Sequence, residues 1–436
     1  MKIMLTAVTG INWGDEGKGR VIDLLAEKSD IVVRYQGGNN AGHTVVTNQE
    51  KYVLNLLPSG ILHQNVVCIL GDGMVIDLEH LTKEISDIRQ KGVEVSPDNL
   101  KISTRATISM PWHKVQDELE EDRLNQTGSA FGSTRRGIAY AYSDKYRKKT
   151  LRLGDLLHLQ DTAVQQRLHT MLDAKNLELA GCYHQEPMSY PELYAWCEKQ
   201  AEQFSHYICD TGRYLNQALV DGKKVVLEAQ LGAMRDIDYG IFPYTSSSST
   251  IAAYGPIGAG IPAYSPDHVV GVLKAYSTCV GAGPFVAEKA MSESWTEMLR
   301  KAGGEYGAAT GRPRRVGPFD AVASRYGLKC QNADKIALTK LDVLSLLPEI
   351  PVITGYRYKG EVTDEFDTME NMENITPVVK MLPGWQQDIS DCTSFQKLPQ
   401  KAKDYVQCLE QLLNHEIQFI SVGAKRDAYL LKGEWL

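Results

Sequence analysis

What this 436-residue chain lacks already removes several classes of protein. It has no cysteine pair at C-x-x-C spacing. The eight cysteines, Cys68, Cys182, Cys197, Cys209, Cys279, Cys330, Cys392 and Cys408, are scattered, most among apolar neighbours as in Val66-Val-Cys68-Ile-Leu70. Such spacing offers neither a zinc cage nor a disulfide framework; it reads as reduced, buried small hydrophobes in a cytosolic protein. No uncharged apolar run is long enough to cross a bilayer. The N-terminal run Ile3–Val8 is too short for a signal peptide and continues into a glycine loop. Positive charge is not in excess: 47 Lys+Arg stand against 54 Asp+Glu, a net −7. That balance argues against a general affinity for nucleic acid or anionic membranes, yet leaves room for a local cationic pocket. Repeats and low-complexity tracts are absent too. What is present, 43% hydrophobic and 23% charged residues, is the balance of a soluble globular chain with a large core. A cytoplasmic protein with no membrane or nucleic-acid partner is expected.

Short β-branched segments recur along the chain. Strands are expected at 3–8, 31–35, 66–70, 224–228, 335–339, 351–356 and 417–421, each followed by a turn or loop. Residues 17–28 place Val21, Leu24, Leu25 and Lys28 at helical spacing. This alternation predicts an α/β fold with a mostly parallel central sheet. Residues 112–124 and 160–220 are charged, Gln-rich and helical in pattern. They predict a helical insertion, at roughly 96–220, beside the sheet of a single domain spanning 1–436. The Ser/Gly/Pro-rich segment from Tyr244 to Pro266 alternates with Ile and Tyr anchors, which reads as an ordered loop at a binding site.

Four constellations carry chemistry. The first is a strand, then Gly14-Asp-Glu-Gly-Lys-Gly19, then a helix. Unpaired backbone N–H groups and the positive end of a helix dipole suit a phosphate there. Gly14, Gly17 and Gly19 let the backbone approach, and Lys18 adds a cation. Lys18 is followed by Gly19 rather than Ser or Thr, so the usual magnesium-binding hydroxyl of a P-loop is missing. Asp15 can replace it as a hard oxygen ligand; alternatively Asp15 and Glu16 are helix caps and Lys18 a surface residue. The second is Gln36-Gly-Gly-Asn-Asn-Ala-Gly-His-Thr44, a glycine-rich loop displaying Asn39, Asn40 and His43 after a strand. His43 suits an acid or a charge-stabilising donor, unless it is merely exposed.

The third is Thr339-Lys-Leu-Asp342 at a strand end. A carboxylate there accepts both N1–H and the exocyclic amine of guanine while a lysine stem packs on the purine. The same letters also read as a helix start with Thr339 as cap. The fourth is Gly307-Ala-Ala-Thr-Gly-Arg-Pro-Arg-Arg315, with three arginines in a loop stiffened by Pro313. Guanidinium groups bind carboxylate and phosphate in bidentate fashion, the alternative being an interface or nucleic-acid patch. Gly132-Ser-Thr-Arg-Arg-Gly137 and Thr245-Ser-Ser-Ser-Ser-Thr250 add hydroxyls and cations suited to a second phosphate, or are loops without a ligand.

Taken together these motifs resemble the adenylosuccinate synthetase family from residue 8 to about residue 427. The resemblance is carried by WGDEGKG (13–19), VVRYQGGNNAGHT (32–44), LPSGIL (57–62), FGSTRRGIA (131–139), LEAQLG (227–232), DIDYGIFPYTSSSST (236–250), KAYSTCVGAGPF (274–285), GAATGRPRRVG (307–317), LTKLDVL (338–344) and MLPGW (381–385). It implies a P-loop-NTPase-like α/β sheet with helical insertions, usually a homodimer. It also implies GTP-dependent joining of L-aspartate to IMP, giving adenylosuccinate, GDP and phosphate through a 6-phosphoryl intermediate.

By the same resemblance Asp15 is the base at N1 of IMP, and His43 and Lys18 are catalytic partners. Mg2+ is held by Asp15 and Gly42. GTP is bound by Gly14, Glu16, Gly17, Gly19, Arg20, Gly42, Thr44, Arg314, Lys340, Leu341, Asp342, Ser421, Val422 and Gly423. IMP is bound by Asn40, Ala41, Thr134, Lys148, Gln230, Thr245 and Arg312. Aspartate is bound by Ala309, Thr310, Gly311, Arg312 and Arg315. Lys148 or Arg147 reaches the partner subunit's site.

The chain departs from the family in places. Ala309 stands for a common threonine, and Ala139-Tyr140 for Gly-Pro. Ala424-Lys425 stands for Pro-Asp, Lys148 for an arginine, and Gln230 is one residue out of register with E-G-A-Q-G. Two other readings have the same motifs serve a paralogue aminating another purine nucleotide, or a GTP-binding regulatory protein without ligase activity. Asp15 argues against the first and the arginine loop against the second.

Overall fold

Every residue of Leu5–Gly10 is buried, as a strand covered on both faces demands. The computed structural model describes residues 4–46, 50–128, 132–306, 311, 313–366 and 372–436. In it, Leu5–Gly10 lies inside a 10-stranded sheet. From one edge to the other the order is Tyr429–Leu431, Phe419–Ser421, Lys335–Thr339, His268–Lys274, Leu5–Gly10, Val225–Gly232, Ile31–Arg34, Val67–Leu70, Leu100–Ser103 and Ile208–Cys209. Neighbours are parallel throughout, except that Tyr429–Leu431 folds back antiparallel on Phe419–Ser421. Side chains alternate between two apolar layers: Val225 and Leu227 enter one, Val226 the other.

The path of the chain decides where a ligand fits. From Leu5–Gly10 it builds outward to Ile208–Cys209, returns as Val225–Gly232 beside its starting strand, and then builds the other half. Loops therefore diverge at the carboxyl ends of Leu5–Gly10 and Val225–Gly232, where open α/β sheets bind ligands. A register shift between Val8 and Gly10 against Glu228 and Gly232 loosens the pairing at that point.

Several expectations need correcting. The segment expected as a strand at 351–356 is the longer Glu349–Tyr358, and it belongs to a second, 4-stranded sheet, antiparallel to Thr376–Pro383. Its β-branched run encodes a strand but not which sheet it joins. Leu100–Ser103, Ile208–Cys209 and His268–Lys274 are central-sheet strands that the pattern did not signal. In His268–Lys274 the run is broken by Gly271, where an added Cβ would lie 2.6 Å from Ile11 Cδ1. The stretch 96–220 holds the helices Pro111–Thr127, Ile138–Arg147, Thr162–Tyr183, Tyr190–Phe204 and Thr211–Val220. It also holds Leu100–Ser103 and Ile208–Cys209, so it is threaded through the sheet's edge rather than set beside it. The cysteines are free; Cys68, Cys197, Cys279 and Cys408 are buried, while Cys182 is exposed. Among the described residues no helix is long and apolar enough to cross a membrane.

Candidate active site

The glycine loop after Leu5–Gly10 is shaped by the approach of another strand's end. A Cβ on Gly10 would lie 2.4 Å from the Leu231 carbonyl, and one on Gly14 2.6 Å from Leu231 Cα. Gly14 and Gly17 also have φ of 110° and 86°, a region that glycine enters freely. Gly17 is the N-cap of the helix Lys18–Ala26. Inside the loop, Glu16 Oε1 accepts the Asn12 and Gly14 N–H groups at 3.0 and 2.7 Å. Lys18 Nζ meets Glu16 Oε2 at 3.0 Å and the Gly14 carbonyl at 2.9 Å. Both side chains are buried, so the cation expected for a phosphate is paired with the loop's own carboxylate. Thr339 ties the end of Lys335–Thr339 to the same loop, its Oγ1 donating to the Glu16 carbonyl at 2.5 Å.

The second loop packs against the first at Gly19, where an added Cβ would lie 3.4 Å from His43 Cβ and 3.3 Å from the Thr44 carbonyl. His43 Nδ1 meets Glu228 Oε1 at 2.5 Å. Glu228, fully buried, also accepts the Ser59 N–H at 2.8 Å and its hydroxyl at 2.9 Å. Burial pushes the His43 pKa down, opposed by Glu228. Burial would raise Glu228, but His43, Arg34 and Ser59 hold it below the ordinary carboxylate value. Asn40 accepts from Gln230 Nε2, and Gln230 Oε1 in turn accepts from the buried Arg34. Tyr142 receives the Gly37 N–H at 2.8 Å, and Ser248 donates to Gln36 Oε1 at 3.0 Å. Those contacts bring the helix Ile138–Arg147 and the serine run to the same end of the sheet.

A mixed cluster of charges faces Asp15. Lys274 Nζ is 3.7 Å and Arg314 Nε 3.4 Å from Asp15 Oδ2. Glu305, fully buried, takes Lys274 at 3.1 Å, Lys340 at 2.7 Å, Arg314 at 2.5 Å and the Tyr276 hydroxyl at 2.5 Å. Burial would raise the Asp15 pKa, but Lys274 and Arg314 outweigh it and hold the carboxylate below its ordinary value. Glu305 is likewise held well below the usual range by its three cations, against burial. Desolvation lowers Lys340 and raises Asp342, the pair expected to read guanine. Asp15 Oδ2 and Arg314 Nε are buried yet make no hydrogen bond. The two atoms face each other in an ion pair too long or misaligned for a hydrogen bond, so each keeps capacity for a closer partner.

The other predicted residues divide. Ser421 and Gly423 are held by Arg20, which donates to Ser421 Oγ at 2.7 Å and to the Gly423 carbonyl. Thr134 is exposed in a loop whose neighbours Ser133 and Gly137 hang on Asp117, at 2.6 and 2.8 Å. Thr245 is half-buried, and Gly311 is exposed with φ 65°. Arg315 is engaged by Glu288 and by the Gly283 carbonyl at 2.6 Å. Lys148 is exposed at the far end of Ile138–Arg147, and Arg147 lies 3.5 Å from Asp144. Ala309, Thr310 and Arg312 lie outside the described residues.

Sequence reasoning missed Glu228, Lys274 and Glu305. The first two had a signal: a lone charge closing an apolar run, VVLE and GVLK, with Glu228 in the middle of Val225–Gly232 and Lys274 at the end of His268–Lys274. A charge placed there is costly to bury unless it is used.

The geometry can be set beside known proteins. A sequence profile described as adenylosuccinate synthetase matches residues 7–430. The chain belongs to the adenylosuccinate synthetase family. It is 44% identical over 423 residues to the adenylosuccinate synthetase of Carboxydothermus hydrogenoformans, covering 97% of each chain. It is 41% identical over 424 residues to that of Caldanaerobacter subterraneus, covering 97% of this chain and 98% of the other. The fully ligated adenylosuccinate synthetase of Plasmodium falciparum superposes with a TM-score of 0.90 at 35% identity, over 99% of this chain and 100% of that one. A cyanophage S-2L succinoaminodeoxyadenylate synthetase bound to dGMP and dATP gives a TM-score of 0.59 at 17% identity, over 99% and 96%, a likeness of fold alone. The family's α/β sheet is thus the one the motifs implied.

Proposed function

We propose that the loops gathered at the carboxyl ends of the central strands form one active site, in which Asp15 is the base. The activity is the family's: GTP-dependent ligation of L-aspartate to IMP, giving adenylosuccinate, GDP and phosphate in AMP biosynthesis. The observation that carries the assignment is Asp15 itself, at the mouth of the phosphate loop, flanked by Lys274 and Arg314, with an orphaned buried oxygen.

Asp15, kept ionised by its two cations, takes the N1 proton of IMP. The electron pair released makes O6 nucleophilic, and O6 attacks the γ-phosphorus of GTP in line, expelling GDP. His43, fixed by Glu228, donates to the phosphoryl group in transfer. The aspartate amine then attacks C6 and expels phosphate, carrying the original O6 with it. Lys18 serves the GTP phosphates by exchanging Glu16 for them. Lys340 and Asp342 read the guanine, and Asn40, Thr134 and Thr245 hold IMP. Gln230 acts behind Asn40, since its amide is already engaged by Arg34 and Asn40. Arg312 and Arg315 take the aspartate carboxylates, Arg315 by exchanging Glu288.

The residues fit Mg2+ of the kind that rides on a nucleotide. Among the described residues no group of three His, Cys, Asp or Glu could cage a metal, but Asp15 Oδ2 is a hard oxygen without a hydrogen bond, held only by the longer ion pairs to Lys274 and Arg314. Asp15 and the Gly42 carbonyl are the donors we assign to it, and when bound it supplies neutralisation of phosphate charge during transfer. The site is cytoplasmic in this reading, and the protein is a homodimer with Lys148 or Arg147 reaching the partner subunit's IMP. Sedimentation with ligands bound tests the dimer; monomer alone would contradict it.

The chemistry is tested with IMP labelled with 18O at O6. Recovery of the label in the phosphate released is expected. Label retained in the purine product would refute the 6-phosphoryl route.

A further inference from the structure

Arg20 lies in the first turn of the helix Lys18–Ala26, directly after the phosphate loop, and its guanidinium holds most of a distant hairpin. One terminal nitrogen donates to Ser421 Oγ at 2.7 Å and to the Gly423 carbonyl. The other donates to the Lys425 carbonyl, to the Ala428 carbonyl at 3.0 Å and, more loosely, to the Arg426 carbonyl at 3.4 Å. These acceptors span the whole connection between Phe419–Ser421 and Tyr429–Leu431. The connection's own bonds include only short-range ones, Val422 N–H to Ala428 at 3.0 Å and Ala428 N–H to Lys425 at 3.1 Å. Arg426 then returns from the hairpin to the same helix, its Nε 2.9 Å from Asp23 Oδ2. Asp23 also binds His63 at 2.8 Å, so this second anchor is itself fixed.

Carbonyl oxygens that converge on one point repel unless a cation sits among them. A guanidinium is suited to that place because its five N–H groups form a rigid fork with no acceptor. With both terminal nitrogens committed to the hairpin, only Nε is left, and it is buried without a partner.

We propose that Arg20 is a positioning residue for GTP, acting by holding Ser421, Val422 and Gly423 in the shape that receives the guanine rather than by touching the nucleotide. The phosphate loop and the base loop thereby sit on one rigid helix, and both ends of GTP meet a surface ordered in advance. The proposal rests on the reading that Ser421–Gly423 face the guanine. Without Arg20 the hairpin keeps its Arg426–Asp23 anchor, but Ser421–Gly423 have to be ordered at the moment of binding, and that cost falls on GTP alone.

Steady-state kinetics of R20A, R20K and the double variant R20A/A424P test this. Ala424 is exposed in the hairpin, and a proline there restrains the loop by another route. R20A is expected to raise KM for GTP about ten- to hundredfold, the range for losing hydrogen bonds to a charged group. KM for IMP and aspartate should stay within about twofold and kcat should change little. R20K, which keeps the charge but loses the fork, should fall between, and it serves alone if R20A does not fold. A424P should recover much of the lost GTP affinity in the R20A background. A fall in kcat with KM for GTP unchanged overturns the proposal, as does an R20A defect that A424P leaves untouched at equal thermal stability. Wild-type protein that uses ATP as well as GTP overturns the guanine reading instead, whatever R20A does.

Discussion

His43 and His113 are both buried, and both rest on a carboxylate, but they use their second nitrogen differently. His113 Nδ1 accepts the Met110 N–H at 3.0 Å while Nε2 meets Asp144 at 3.0 Å. Asp144 also takes Lys175 at 3.1 Å, and Lys175 continues to Gln116 at 3.0 Å and Glu178 at 2.9 Å. That network joins the helices Pro111–Thr127, Ile138–Arg147 and Thr162–Tyr183, and its ring nitrogens and ammonium are all engaged. His43 commits Nδ1 to Glu228 at 2.5 Å, and among the described residues its other nitrogen is bonded to nothing. Asp15, in the same region, has its orphaned Oδ2. Burial and charge are common to both regions. Saturation separates the charged groups of the helical cluster, all paired, from those of the proposed site, although buried atoms without a hydrogen bond also occur beside the former, at Trp112 Nε1 and Gln200 Oε1.

That contrast can be broken by substitution. The largest effect belongs to D15N, which removes the proposed base and weakens the proposed metal donor while keeping the shape. It should lower kcat by about a thousandfold or more, since a general base alone contributes about 10²–10⁴. Thermal melting should be near wild type, and a D15N enzyme with kcat near wild type would end the assignment. Next come the two histidines. H43N should lower kcat about a hundredfold or more with a small change in stability. H113A should do the reverse, costing about 3 kcal/mol by opening a cavity and taking one partner from the buried Asp144, which keeps Lys175, with kcat of the folded protein within about twofold. Denaturant melts beside turnover assays measure both, and matching profiles for the two variants would erase the distinction.

Smaller effects sharpen it. Glu228 supports the charged form of His43 against burial, so E228Q should lower the His43 pKa further. Where activity needs the imidazolium, the alkaline limb of the rate profile moves to lower pH. An unmoved limb would show that Glu228 does not govern His43. The smallest is a slope. Burial holds His113 below its ordinary value of 6.5. As pH falls, the unfolded chain therefore takes up the proton first, so this contribution to stability is complete above about pH 6.5 and is lost below it. H113A should lose less stability than wild type between about pH 7.5 and 5.5, with His43 and His80 adding to the slope that remains and Asp320, raised by burial to about 6, opposing it.

The parts of the site that were legible in the sequence are those in which backbone geometry demands a residue type. Gly14 and Gly17 mark positive φ beside the end of another strand, and Thr339-Lys-Leu-Asp342 follows a strand whose bounds match expectation. Glu228, Lys274 and Glu305 were opaque because each is one charged letter whose partners come from elsewhere in the chain. Lys274 becomes intelligible only when Asp15 and Glu305 lie 3.7 and 3.1 Å away. The same holds for Arg20, assigned to GTP by resemblance and found on hairpin carbonyls about 400 residues along, as with the Gly423 carbonyl at |i−j| = 403. Of the fold, the alternation and the central strands were readable. Membership of Glu349–Tyr358 in the second sheet was not, since pairing is decided by Thr376–Pro383.

The most direct test of the account is turnover by the wild-type protein with GTP, Mg2+ and L-aspartate, given either IMP or GMP and followed by product formation. IMP should be converted, with no product when GTP or aspartate is left out, and GMP should not be aminated. Equal conversion of GMP, or GTP hydrolysis at an undiminished rate without IMP and aspartate, would contradict it.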